Sequence, residues 1–259
     1  MDVDGLLLDI DGVLSVSWKP IDGAIQTLDW LREQAIPFRL VTNTTTHPRD
    51  ALALTLREAG FEIDAGEIVT AVVATAEHLR TRHPAANVFL LSDGDARADL
   101  EGVTLVGADE PADVVVIGGA SDAFTYAVLN HIFGLLNGGA SLIGMHRNLY
   151  WRTSEGLQLD GGAYIAALEE ATGRRATICG KPAPSYFEAG LEMLGIPATR
   201  AAMVGDDVAN DVLGAQAIGM TGVLVRTGKF RPADLERDDE PPDHVIGTIA
   251  DLPTLLRAN

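Results

Sequence analysis

Asp9 and Asp11 close the run LLLDIDGVL (6–14), spaced so that in extended chain both carboxylates point to one face. Two such charges about 4 Å apart repel by roughly 4 kcal/mol at an effective dielectric of about 20. Either one of them holds a proton or a cation sits between them. Leu6, Leu7 and Leu8 predict a buried strand leading into the pair, and Gly12 lets the chain turn away at once. An Asp-Gly turn at a strand end fits the same residues. A second acidic group follows the apolar run AAMV: Gly205, Asp206 and Asp207, with Asp211 four residues on. Helix capping accounts for Asp206 or Asp207 and leaves the other aspartates unexplained. Together the two groups form an oxygen-rich site suited to a hard cation such as Mg²⁺, which takes one or two carboxylates plus water and phosphate.

Thr42 and Asn43 end the run PFRLVT (37–42), where a hydroxyl and open backbone amides suit phosphate oxygens. A polar strand end is the alternative. Asn43-Thr44-Thr45 also fits a glycosylation sequon, discounted for a chain expected in the cytoplasm. The chain has only three lysines, Lys19, Lys181 and Lys229. Lys181, between Gly180 and Pro182, is placed as a compact point charge, whereas arginine supplies most of the other cations. GKP lacks the upstream glycine spacing and the following Ser/Thr of a Walker A loop, and IGGA (117–120) lacks the dinucleotide-binding spacing. The six histidines show no zinc-ligand spacing. Cys179, the single cysteine, precludes an intrachain disulfide and is expected to be a buried structural thiol.

Elements that could carry these segments alternate along the chain. A strand is predicted at Leu6–Asp9. From Asp22, a candidate N-cap, Ile25, Leu28 and Leu31 repeat at helical spacing. A strand over 37–42 precedes HPRDALALTLREAG, with Pro48 in its first turn and Gly60 at its end. Strands follow at 87–92, 113–119 and 140–145, an apolar helix at 123–137, and a hairpin within 149–162 turning near Glu155-Gly156. Beyond residue 178 come a helix over 184–194, the strand AAMVGD, a helix over 207–217 and the strand GVLVRT. The polar, Pro-containing stretch 231–243 predicts an exposed loop. The alternation implies a doubly wound, mostly parallel α/β sheet with right-handed crossovers. All four chemistry-bearing segments then fall at the carboxyl ends of strands, the edge where such sheets bind ligands. A second α/β unit, residues 80–177, is expected to interrupt a core made of 1–79 and 178–259.

The formal net charge of -18, from Lys+Arg 19 against Asp+Glu 37 in 259 residues, argues against nucleic acid or an anionic membrane as partner. It also means that an anionic substrate needs local cations. No apolar stretch reaches the ~20 residues of a membrane helix. The opening MDVDGLLLD lacks the basic segment and cleavage site of a signal peptide, so a cytoplasmic location is expected.

In this order, DIDGVL (9–14), VTN (41–43), GKP (180–182) and GDDVAND (205–211) resemble the motifs of the haloacid dehalogenase-like (HAD) hydrolase superfamily. The long insertion between the second and third motifs resembles the α/β (C2-type) cap of subclass IIA. GKPAPSYFEAGLEMLG and the stretch from VGDDVAND to GKFRP are similar to the phospholysine/phosphohistidine/inorganic pyrophosphate phosphatase branch and its HAD hydrolase domain-containing relatives. The resemblance implies a Rossmann-like core and a Mg²⁺-dependent phosphatase for a small phosphorylated metabolite. Asp9 would be the nucleophile and Asp11 the general acid/base. Mg²⁺ would bind Asp9, the Asp11 backbone carbonyl and Asp206, with Asp207 and Asp211 in support. Thr42, Asn43 and Lys181 would hold the phosphoryl group. Asp11 favours phosphatase over dehalogenase, because a leaving halide needs no proton. Within the superfamily a sugar- or nucleotide-phosphatase is the alternative. A receiver-like phospho-accepting module also uses Asp, Thr and Lys, but the insertion and Asp11 argue against it. The cap would select the leaving group and form a homodimer. Where subclass relatives often carry an Asn-x-Asp pattern, this chain has Arg147-Asn148-Leu149; Arg147 is a candidate to meet a second anionic group or to flank a hairpin.

Overall fold

Leu6, Leu7 and Leu8 are all fully buried, and a strand apolar on both faces needs cover from both sides. The computed structural model describes residues 1–153, 156–235 and 241–257, with backbone only at 151–153 and 234. The chain forms two compact units: Met1–Thr42, Arg49–Val69 and Lys181–Asn259 make the first, Asn43–Pro48 and Thr70–Gly180 the second.

The first unit is built on a six-stranded sheet, in the order His244–Ile246, Thr221–Val225, Ala201–Gly205, Gly5–Asp9, Phe38–Thr42, Ile68–Thr70. Its first five strands pair in parallel, with Leu7 opposite both Met203 and Arg39. Leu6, Leu8, Leu40, Val204 and Val223 pack with Leu28 and Leu31 of the helix Ala24–Glu33 and Leu52 and Leu56 of the helix Arg49–Glu58. Each fully buried leucine contributes about 1.5–3 kcal/mol. The strand that carries Asp9 is therefore clamped at the centre of the sheet.

The second unit repeats the plan on five parallel strands, in the order Thr177–Ile178, Ser141–Gly144, Val114–Ile117, Asn87–Leu91, Thr104–Val106. The helices Ala71–Arg82, Tyr126–Asn137 and Gly161–Thr172 belong to it. Val114–Ile117 is buried throughout. The doubly wound α/β class expected from the alternation is the one observed.

Two local expectations differ from the structure and a third is met. The first helix is capped by Gly23 rather than Asp22: Gly23 takes a φ of 83°, and a Cβ there would collide with Ala250. The predicted helix over 207–217 is a wide π turn, Val208–Leu213, followed by a short α turn, Gly214–Gln216. Side chains redirect the backbone here, because the Asp207 carboxylate accepts from Asn210 N–H at 3.0 Å while Asp207 N–H donates to Asp211 at 3.1 Å. The expected hairpin forms from Tyr150–Thr153 and Gly156–Leu159, antiparallel. Its turn at 154–155 lies outside the described residues, as does 236–240 of the predicted loop over 231–243.

Candidate active site

The carboxyl edge of the first sheet collects residues from three neighbouring strands. Asp9 is the last residue of the central strand and is 5% exposed. Both of its hydrogen-bonding contacts fall on Oδ1, with Ile10 N–H at 2.9 Å and Lys181 Nζ at 2.8 Å. Its Oδ2 accepts no hydrogen bond among the described residues. Lys181 is buried and reaches Asp211 Oδ1 as well, at 2.7 Å. Burial works against the ammonium, but Asp211 and Asp9 override it and hold its pKa well above the ordinary lysine value.

Asp206 and Asp211 come from the end of the adjacent strand and from the π turn after it. Gly205 has no Cβ, and one would overlap the Asp211 side chain; the glycine is what lets that carboxylate fold back against the sheet edge. Oxygens of Asp9, Asp206 and Asp211 lie within 4.8 Å of one another, all three residues buried. Burial, with mutual repulsion added, pushes the carboxyl pKa values of Asp206 and Asp211 upward.

Asp206 is held by backbone. Its Oδ2 accepts from Lys229 N–H at 2.6 Å and sits between Gly12 and Gly228, both with positive φ, where a Cβ on either would overlap that oxygen. The Thr227 hydroxyl donates to the Gly12 carbonyl and ties the two loops together. The other oxygen, Asp206 Oδ1, is buried with no hydrogen-bond partner. An orphaned carboxylate oxygen among converging carboxylates costs several kcal/mol unless a cation meets it. The donor set is all oxygen, so it fits a hard divalent cation.

Asp11 lies outside the triad. It is exposed, yet surrounding protein withholds water from the carboxyl and raises its pKa, with Lys229 and Lys181 pulling the other way. Asp207 is engaged with Asn210, by the backbone contact above and by Nδ2 at 2.8 Å. Burial opposes ionisation at Asp207, but the Asn210 bonds win and its pKa is lowered. Thr42 is buried at its strand end, whereas Asn43 belongs to the second unit, with its Oδ1 beside Gly180. Arg147 is occupied: its guanidinium forks onto both oxygens of the buried Glu169.

Spacing does not single out two neighbours of this site. Lys229 contributes the amide to Asp206, and its Nζ lies 3.6 Å from Asp207 Oδ2. A signal was present: it is one of three lysines and follows a glycine after a strand, as Lys181 does. Tyr186, fully buried on the helix Pro184–Leu194, accepts from Thr42 N–H at 2.7 Å. Its one proton points toward the carbonyls of Val69, at 2.6 Å, and Thr42, at 2.9 Å. Nothing in the local sequence distinguishes it from a core tyrosine.

Known proteins share this architecture. The family model "Haloacid dehalogenase-like hydrolase" matches residues 6–105, and a HAD-hydrolase-like model matches 178–252. Human "Haloacid dehalogenase-like hydrolase domain-containing protein 2" is 38% identical over 92% of this chain and 89% of its own. Rat "Phospholysine phosphohistidine inorganic pyrophosphate phosphatase" is 34% identical over 98% and 94%. Among solved structures, the p-nitrophenyl phosphatase from Archaeoglobus fulgidus superposes with a TM-score of 0.92 at 30% identity, covering 99% of this chain and 100% of that one. With its motifs on one sheet edge and its relatives matched nearly end to end, the chain belongs to the haloacid dehalogenase-like hydrolase family.

Proposed function

We propose that this chain is a divalent-metal-dependent phosphatase for small phosphorylated compounds, working through a phosphoryl group carried on Asp9. The observation that most supports the reading is the buried Lys181 ammonium seated between Asp9 and Asp211, at 2.8 and 2.7 Å. Asp9 Oδ1 is held by Lys181 and Ile10, so Oδ2 is the oxygen left to attack phosphorus. As the Oδ2–phosphorus bond forms, the bond to the leaving oxygen breaks, and Asp11 gives that oxygen its proton. Asp11, then ionised, takes a proton from water. The water oxygen attacks phosphorus and displaces Asp9, releasing phosphate. The raised pKa of Asp11 suits a group that starts protonated.

Asp9, Asp206 and the Asp11 carbonyl would hold Mg²⁺, with Asp207 and Asp211 in support; bound there, the ion neutralises phosphoryl oxygens. Lys181, Thr42 and Asn43, the residue after Thr42, would steady the same oxygens. Acid–base assistance supplies about 10²–10⁴ in rate, roughly 3–5 kcal/mol. Accelerations of up to ~10²¹ for phosphate monoesters leave most of the barrier to positioning and charge. In a chain of net charge -18 those local cations are indispensable. The inserted unit takes the role of cap, and a homodimer through it and a cytoplasmic location belong to the same reading.

Hydrolysis of p-nitrophenyl phosphate with Mg²⁺ tests this directly. Asp9→Asn lowers kcat by about 10³-fold or more, and EDTA abolishes turnover in the wild type. Full turnover by Asp9→Asn, or turnover untouched by EDTA, overturns the mechanism.

A further inference from the structure

Thr42 stands one residue past the point where its strand is registered with the central one, since that pairing ends with Val41 opposite Asp9. A side chain fixes its backbone there. The Tyr186 hydroxyl accepts from Thr42 N–H at 2.7 Å and faces the Thr42 and Val69 carbonyls at 2.9 and 2.6 Å. Thr42 and Val69 are also the residues from which the chain passes out of the first unit, to Asn43 and to Thr70. One phenol therefore fastens two strands close to where the chain leaves the unit.

The phenol is itself firmly placed. It is fully buried, its ring meets Phe187 edge-on at 5.9 Å, and Tyr186 N–H donates to the Ala183 carbonyl at 3.0 Å as the helix Pro184–Leu194 begins. Burial pushes its pKa upward, so the hydroxyl keeps its proton and serves as an anchor, not as an acid. Lys181, five residues earlier, is locked to Asp9 and Asp211. The segment 181–186 thus supplies both the cation on Asp9 and the hold on Thr42. We infer that Tyr186 is a positioning residue for phosphoryl transfer, acting through Thr42 by fixing the backbone from which the Thr42 hydroxyl projects. A misplacement of about 1 Å at such a group costs on the order of 10²-fold in rate. The inference rests on the phosphatase reading above and adds to it a residue that touches no substrate.

A double-mutant cycle on Tyr186→Phe and Thr42→Ala tests it, with p-nitrophenyl phosphate and Mg²⁺ and with each variant first shown folded by circular dichroism. Each single variant is expected to lower kcat at least about tenfold, with KM within about threefold of wild type. In the Thr42→Ala background, Tyr186→Phe is expected to lower kcat by less than about threefold, because a positioning residue has nothing left to position. A merely structural tyrosine gives no such coupling. If Tyr186→Phe does not fold, the same cycle is run with Tyr186 replaced by 4-aminophenylalanine, which still donates to the two carbonyls but accepts poorly from Thr42 N–H. Wild-type kcat in either single variant, or losses that multiply in the double variant, overturns the inference while leaving the phosphatase reading standing. A wild-type protein without turnover overturns both.

Discussion

The two units end their parallel sheets in opposite electrostatic conditions. At the carboxyl edge of the second sheet, polar side chains meet backbone: Thr45 accepts from Gly119 N–H at 3.0 Å, Asp160 from Gly161 N–H at 2.7 Å, and His146 Nδ1 from Asn148 N–H at 3.2 Å. The buried Glu169 of that unit is satisfied too, with Arg147 on both oxygens and Ala176 N–H at 2.8 Å. At the corresponding edge of the first sheet, three buried carboxylates crowd together, one lysine bridges two of them, Asp9 and Asp211, and an oxygen of Asp206 is orphaned. Similar strands and crossovers produce both edges. What separates a candidate site from a stable scaffold is therefore unbalanced charge, which folding alone leaves unrelieved.

That contrast can be broken first where the charge is most crowded. Lys181→Met removes the cation shared by Asp9 and Asp211, and is expected to cost about 3–5 kcal/mol in urea unfolding without metal. Added Mg²⁺ should recover part of the loss; no destabilisation at all would show that the acidic cluster is not the strained edge. Tyr186→Phe strips a buried acceptor from Thr42 N–H and a donor from Val69 and Thr42 carbonyls. About 1–3 kcal/mol is expected, with faster hydrogen exchange at the Thr42 amide. Exchange unchanged at that amide would remove Tyr186 as its anchor.

The smallest effect belongs to the satisfied charge. Arg147 hydrogen-bonds Glu169 and, against the opposing effect of burial, lowers its pKa below the ordinary glutamate value. A depressed carboxyl pKa stabilises the fold above the unfolded-state value of about 4.3, and that contribution fades as pH falls through the folded value. Unfolding free energies of wild type and Glu169→Gln from urea titrations should therefore differ by about 1–2 kcal/mol from pH 7 down to about 5, then converge under more acidic conditions. A gap that widened on acidification would contradict the pairing.

The strands that end in charge were more legible in the sequence than the full set of elements. Leu6–Leu8 ahead of Asp9, and AAMV ahead of Asp206, announce buried strands ending in charge, because hydrophobic runs and their polar ends are local properties. The helix Pro184–Leu194 likewise matches its predicted limits, with proline opening it and Gly195 closing it. The strands Ile68–Thr70, Thr104–Val106 and Thr177–Ile178 went unread, since two or three residues carry no periodicity and owe their conformation to neighbours. The helix Ala71–Arg82 begins with the β-branched pair Val72 and Val73, and its small buried residues blur the apolar stripe. The π turn was invisible because it depends on Asp207 and Asp211 bonding across it. Tyr186 owes its position to Thr42 and Val69, distant in sequence, so no local pattern could disclose it.

Gly12 and Gly228 close on the same oxygen of Asp206 from opposite ends of the chain. A loop transplant or a recombination breakpoint that takes one of them without the other would separate two halves of a single fitting. The stretches around 10–14 and 226–230 should thus behave as one inherited block. Saturation libraries at 12 and 228 would return glycine at both, and a non-glycine residue at either position could not be rescued by a change in its own loop alone.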